Sequence, residues 1–233
     1  MANSWFHFKQ FTIHHNRCAH KVGTDGVLLG AWAQAPSPLH ILDIGSGSGL
    51  IALMLAQRFP HAQITGIELD HDSYLQSMEN VEASPFSERV HILHADFRNY
   101  NFEGKTFDLI VSNPPFFERA FLSGNVTRDQ ARHTFSLPHS TMIEKATALL
   151  NKHGSLNLIL PVEEAENIRA YTPLKLLRKT LVYNHQGGEV KRWLMEMSAK
   201  PGKTLEEDLF IRDDNGGFSS EYRQLTRNFY LNF

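Results

Sequence analysis

Three acids, three glycines and one amide carry the chemistry legible in this chain of 233 residues. Asp43 is followed at alternate positions by Gly45, Gly47 and Gly49. Glu68 stands 19 residues beyond Gly49, and Asp96 comes later. Asn113-Pro114-Pro115-Phe116 then follows the apolar run from Phe107 to Ser112. A residue before proline is pushed out of the helical region, so Asn113 and Pro114 are expected to be extended. Pro114 offers a carbonyl but no N–H. The result is a stiff edge that accepts hydrogen bonds beside an aromatic ring, suited to a flat substrate bearing an NH2 group. Alone, the tetrapeptide is equally an ordinary exit from a strand.

The elements that would position these residues alternate. His40–Ile44 reads as a short buried strand that runs through the glycines into an apolar helix, Leu50–Phe59. Strand, glycine loop and helix open a dinucleotide-type βαβ unit. Further strands are expected at Gln63–Glu68, Arg89–His94, Phe107–Ser112 and Ser155–Leu160, with helices over 73–83 and 140–151 and one starting at Pro161. Asp72 or Ser73 is the expected cap of the first of these helices. Leu174–Tyr183 and Val190–Ser198 break the rhythm and read as a hairpin, the antiparallel edge of a mixed sheet. Upstream, Phe8–Ile13 is expected to form a strand or hairpin arm. Thr24 or Asp25 is a candidate cap for a helix over 26–32. The fold class is therefore α/β: a Rossmann-like, seven-stranded, mostly parallel sheet with an antiparallel edge hairpin. One domain is expected over 1–233, with an N-terminal segment (1–35), a core (36–200) and a C-terminal segment (201–233).

The glycine spacing departs from the nicotinamide fingerprint G-x-G-x-x-G, because Leu50 occupies the third glycine's place. Asp43 departs further. A carboxylate would repel a bound pyrophosphate but favour a cofactor carrying an ammonium and a sulfonium. Asp43-x-Gly45-x-Gly47-x-Gly49 resembles the first motif of the S-adenosylmethionine-dependent methyltransferases. That resemblance implies S-adenosylmethionine as cofactor. It makes Glu68 the acid on the two ribose hydroxyls and Asp96 the acceptor of the adenine amine.

Asn113-Pro114-Pro115-Phe116 resembles the N-P-P-Y/F motif of methyltransferases acting on exocyclic or amide nitrogens. An adenine amine is a poor nucleophile because its lone pair is delocalised into the ring. The Asn113 side-chain oxygen and the Pro114 carbonyl can hold both N–H groups while Phe116 stacks on the base. Catalysis is then orientation and hydrogen bonding matched to the transition state. The motif leaves protein glutamine, RNA guanine, and adenine in DNA or RNA open.

A second resemblance narrows them. Phe6–Ile13, Cys18–Trp32, Ala131-Arg132-His133 and Tyr222–Leu231, together with the tetrapeptide, are similar to the bacterial valine-tRNA adenine-N6 methyltransferase family. Cys18-Ala-His-Lys21 stands where Cys-Ala-Met-Lys is expected. The resemblance implies methylation of N6 of adenine 37, next to the anticodon of valine tRNA. It places Lys21, Thr24 and Asp25 near the methionine end of the cofactor; solvated charge and helix capping are their equal alternatives. A tRNA substrate needs basic side chains for its phosphates. Candidates are Arg17 and Lys21, Arg119, Arg128 and Arg132 in the loop after the motif, and Lys175, Arg178, Lys179, Lys191 and Arg192 on the hairpin. Phe117 and Phe121 can stack on neighbouring unpaired bases, with core packing as the alternative for each. A protein glutamine-N5 methyltransferase acting on a release factor, a non-catalytic RNA-binding module and a small-molecule methyltransferase remain the rival readings.

Composition sets the outer limits. The single cysteine, Cys18, excludes an internal disulfide framework and fits a reducing compartment, and no cysteine cluster suggests a metal. No run approaches the ~18 apolar residues of a membrane span, and the N-terminus lacks the apolar run of a signal peptide. A cytoplasmic protein is expected. Net charge is +2 over residues 1–40, −6 over 41–117, +4 over 118–200 and −2 over the rest. An acidic centre flanked by basic stretches can hold a cationic small molecule and meet a polyanion beside it. The loop over 114–136, with Ser123-Gly124-Asn125, is expected to be mobile.

Overall fold

A computed structural model of the chain describes residues 3–114 and 139–233. Phe116, Phe117, Arg119, Phe121, Arg128 and Arg132 lie outside them, as does the mobility expected of the loop.

Among the described residues the strands are β1 (Trp5–His7), β2 (Thr12–His14), β3 (His40–Ile44), β4 (Gln63–Glu68), β5 (Val90–His94), β6 (Phe107–Ser112), β7 (Leu150–Leu160), β8 (Lys175–His185), β9 (Val190–Ser198) and β10 (Leu205–Arg212). The helices are α1 (Thr24–Trp32), α2 (Leu50–Arg58), α3 (His71–Glu82), α4 (His139–Leu149), α5 (Val162–Tyr171) and α6 (Ser220–Thr226). Strands β3 to β10 form one sheet in the order β10-β8-β9-β7-β6-β3-β4-β5, and β1 pairs with β2 alone.

Only β9 runs against its neighbours in the large sheet. It lies between β7 and β8, so the late hairpin places its second strand against the core. Strand β10 then adds an eighth strand, parallel to β8. Its sequence, Leu-Glu-Glu-Asp-Leu-Phe-Ile-Arg, buries only Leu209 fully, as suits an edge.

Side chains alternate across the sheet as the period of two requires. Ile41, Leu109 and Val111 pack on one face with α1 and α2 and with the hairpin residues Phe8, Phe11 and Ile13. Leu42, Ile44 and Ile110 pack on the other with α4 and α5. The parallel strands thus bring Gly45, Glu68, Asp96 and Asn113 to one edge, at or just beyond the C-terminal ends of β3, β4, β5 and β6.

Several local expectations change. Phe8–Phe11 is the turn between β1 and β2, closed by the Phe8 N–H donating to the Phe11 carbonyl at 2.8 Å. Gly23 caps α1 with no side-chain bond, so neither Thr24 nor Asp25 is a cap. Asp70 caps α3, accepting from the Ser73 N–H at 2.9 Å. An earlier cap satisfies the first turn's donors and starts the helix two residues sooner.

Candidate active site

The loop after β3 is tied to the next strand. The N–H groups of Gly45 and Ser46 both donate to the Ile67 carbonyl, at 2.9 and 3.2 Å. Gly45, Gly47 and Gly49 hold φ of +71°, +55° and +80°. A side chain is strained in that left-handed region. A Cβ built on Gly45 or Gly47 would meet nothing within 4 Å. Conformation, not crowding, requires these glycines, and the space over them is open.

Glu68, at the end of β4, holds this loop in place. Its Oε2 accepts from the Gly47 N–H at 2.7 Å and its Oε1 from the Asp70 N–H at 2.8 Å. Each oxygen keeps a further lone pair for another donor. Asp43 lies beneath, fully buried. Neither carboxylate oxygen meets a hydrogen-bond partner among the described residues. Burial pushes its carboxyl up to about 7; the Ala52 backbone opposes this only from outside hydrogen-bond geometry, and the Glu68 charge adds to it.

Asp96 is engaged. Arg98 closes on it through its backbone N–H (2.9 Å) and its side chain, with Nη2 to Oδ2 at 2.7 Å. Hydrogen bonds from Arg98 hold the Asp96 carboxyl below its ordinary value. The surrounding turn is clamped from α4, where Lys145 Nζ donates to the carbonyls of Arg98 (3.1 Å) and Tyr100 (2.7 Å).

The Asn113 edge adjoins the glycine loop by register. Ser112 pairs with Ile44 across β6 and β3, so Asn113 and Gly45 each stand one residue past that pair. Adjacent strands lie about 4.8 Å apart. The Ser112 hydroxyl donates to the Ile44 carbonyl at 2.8 Å and fastens the two exits together. Asn113 Oδ1 is shielded from solvent and has no partner among the described residues, and Pro114 is buried. A shielded, unsatisfied acceptor costs stability and calls for a donor.

Lys21 and Thr24 are exposed at the entry to α1. Asp25 pairs with Arg192 of β9 at 2.8 Å. Lys191 pairs with Glu189 at 3.1 Å on an exposed turn, a contact weak enough for a phosphate to displace. Arg178 and Lys179 are used within the fold. Arg178 pairs with Glu207 and lies over the Trp32 ring, and Lys179 pairs with Glu206 over the Trp193 ring. These structural contacts remove both from the phosphate-binding candidates.

Asn80 escaped the sequence reading. It is 1% exposed on α3. Its Oδ1 accepts from the His14 N–H at 2.9 Å, and its Nδ2 donates to the carbonyls of His14 (2.8 Å) and Ser48 (2.9 Å). It joins the N-terminal hairpin to the glycine loop. Its one sequence sign is a polar stripe, Ser73, Gln76, Ser77 and Asn80, at helical spacing; its partners are far away in sequence.

A cavity of about 550 Å³ lies at the opposite end of α2, lined by Lys9, Gln57, Arg58 and Phe59 among others. Among the described residues no three His, Cys, Asp or Glu gather as metal ligands. None of their helices is long and apolar enough to cross a membrane.

The methyltransferase small domain family matches residues 22–170, a span holding the glycine loop, Glu68, Asp96 and Asn113. The chain belongs to this family. It is similar along its whole length to proteins named tRNA1(Val) (adenine(37)-N6)-methyltransferase. That of Actinobacillus succinogenes is 41% identical over 234 residues, covering 100% of this chain and 99% of the relative. That of Phocaeicola vulgatus is 42% identical over 235 residues, covering 100% of both. Among solved structures, a predicted O-methyltransferase of Agrobacterium tumefaciens matches with a TM-score of 0.70 at 20% identity, covering 88% of this chain and 96% of that one. TrmN of Thermus thermophilus matches with a TM-score of 0.52 at 26% identity, covering 70% of this methyltransferase and 44% of that chain.

Proposed function

We propose that this methyltransferase moves a methyl group from S-adenosylmethionine to N6 of adenine 37 in valine tRNA, in the cytoplasm, with the whole chain acting as one unit. The observation that carries the chemistry is the shielded, partnerless Asn113 Oδ1, one residue beyond the Ser112–Ile44 pair and so beside the glycine loop. The named full-length relatives support the choice of RNA.

The residues present fit the cofactor. Open space over Gly45 and Gly47 admits it. The free lone pairs of Glu68 suit a ribose diol, and the unpartnered Asp43 carboxylate suits a nearby positive charge. Lys21, Thr24 and Asp25 are assigned to the methionine end of the cofactor. Asp96 would hold the adenine end, either directly or through the turn it fixes with Arg98. When bound, S-adenosylmethionine supplies an electrophilic methyl on a sulfonium.

The chain's own part is orientation. Asn113 Oδ1 and the Pro114 carbonyl accept the two N–H bonds of the target amine, turning its lone pair toward the methyl group. These acceptors strengthen as the nitrogen becomes cationic, so they stabilise the transition state more than the ground state. The nitrogen then loses a proton to solvent; an aminium on adenine is acidic enough to need no strong base. Phe116 is assigned to stacking on the base. Phe117, Arg119, Arg128, Arg132, Lys191 and Arg192 are assigned to the surrounding RNA.

The test offers labelled S-adenosylmethionine to the protein with unmodified valine tRNA or with a release factor. Label in the RNA supports the proposal. Label in the protein, with none in the RNA, overturns it in favour of glutamine methylation.

A further inference from the structure

The hairpin β1–β2 has two unlike faces. Phe8, Phe11 and Ile13 are buried and Phe6 is half-buried against the core. Trp5, His7 and His14 are exposed on the other side. Pairing sets Trp5 opposite His14 and His7 opposite Thr12. The Trp5 and His7 rings lie 4.3 Å apart at 52°, and His7 Nδ1 sits 2.5 Å from Thr12 Oγ1. These contacts hold the rings as a surface. Trp5 is 40% exposed, whereas Trp32 and Trp193, the other tryptophans, are 3% and 5% exposed.

Cross-strand pairing can stabilise a hairpin, but the buried Phe residues already anchor this one. Charge separates a packing role from a binding role. Residues 3–24 contain no Asp or Glu. Lys9 donates to the carbonyls of Arg227 and Phe233, Arg17 pairs with Glu79 and His15 is buried, so the groups this segment offers a polyanion are Lys21 and the exposed His7, His14 and His20.

The position of the ring face points the same way. Trp5 and His14 form the hairpin end from which residues 15–23 leave for α1. Asn80 grips His14 and the glycine-loop carbonyl of Ser48 together. Along that segment burial raises the Cys18 thiol and the Glu68 and Asp70 charges add to it, so the segment runs near the end of β4. The ring face is therefore continuous with the rim of the methyl-transfer site.

We propose that the Trp5–His7–His14 face is a docking platform for unpaired bases of the substrate RNA that flank the target adenine. This rests on the tRNA reading above and adds a subsite to it. The indole ring and the imidazoles present flat surfaces on which any base can stack, while Lys21 and the histidines meet phosphates. An anticodon loop supplies unpaired bases on both sides of position 37.

The test uses the full chain, its Trp5→Ala and Trp5→Phe variants, and an unmodified valine anticodon stem-loop RNA. Dissociation constants for RNA and for S-adenosylmethionine are measured separately, with melting temperature as the check on folding. Trp5→Ala is expected to weaken RNA binding by about tenfold, with cofactor binding and melting unchanged, and Trp5→Phe to restore most of it. Tryptophan fluorescence of the wild type is expected to be quenched by the RNA, and that of Trp5→Phe to be almost unaffected. Equal RNA affinity in Trp5→Ala and wild type, or full quenching in Trp5→Phe, overturns the platform. Should the wild type methylate valine tRNA while those results hold, only the platform falls. Should it neither bind nor methylate the RNA, the tRNA reading falls with it.

Discussion

Asp43→Asn should make the cofactor-free protein gain stability selectively at alkaline pH, while weakening its cofactor binding. The wild-type carboxyl is fully buried, lacks a partner and is raised from 3.8 to about 7. The folded state therefore keeps a proton that the unfolded chain has already lost, and stability falls as pH climbs from about 4 to about 7. At 1.36 kcal/mol for each pH unit, this cost grows by about 3–4 kcal/mol between pH 4 and pH 8. Asparagine does not ionise, so the variant escapes the cost. Its own buried amide brings a penalty of about 1–3 kcal/mol, but that penalty is independent of pH and cancels in the difference. Urea unfolding of both proteins at pH 4 and pH 8, without cofactor, gives the quantity directly. The variant's stability relative to wild type should rise by about 3–4 kcal/mol over that interval. A pH-independent difference between the two proteins would refute the reasoning, since it would mean that Asp43 is ionised and satisfied in the folded state.

Asn113→Ala should lower kcat for methyl transfer by about 100-fold or more, with S-adenosylmethionine affinity little changed, as single-turnover assays and calorimetry would report. Glu68→Ala removes the acceptor of two loop N–H groups as well as the ribose contact; calorimetry should show cofactor affinity falling by about 100-fold. Asn80→Ala strands one N–H and two carbonyls that its amide now satisfies. The expected loss is about 2–4 kcal/mol, read as a melting temperature lower by roughly 5–12 °C, together with faster proteolysis of the N-terminal hairpin. Raising salt from 50 to 200 mM should weaken tRNA binding by about tenfold or more in a filter-binding assay.

The parallel core was legible because its strands are short apolar runs flanked by turn residues. Ile41, Leu42 and Ile44, like Leu109, Ile110 and Val111, bury both faces and advertise a central position. The eighth strand was not legible. Leu205–Arg212 carries three acids, yet it forms a parallel ladder with β8, where Glu206 and Glu207 meet Lys179 and Arg178. Those partners look, from sequence, like free basic residues awaiting a phosphate. The acids of the site were visible as residue types at the ends of strands. Their states were not: whether Asp43 is unpaired, or Asp96 closed by Arg98, depends on what surrounds them in space. Local signals also misled where two candidates stood close together. Asp70 and Gly23 took the caps because the helices begin earlier than their apolar stripes suggest. Asn80 had no local sign of its partners, since His14 and Ser48 lie 66 and 32 residues away in sequence.

The central claim is a methyl placed on one atom of one RNA. An unmodified valine tRNA transcript, incubated with this protein and S-adenosylmethionine, is digested and its fragments mapped by mass spectrometry, alongside a transcript in which adenine 37 is replaced by guanine. N6-methyladenosine at position 37, and no methylation of the replaced transcript, is the result expected. Methyl groups elsewhere in the RNA, equal labelling of both transcripts, or no labelling of either would contradict the account.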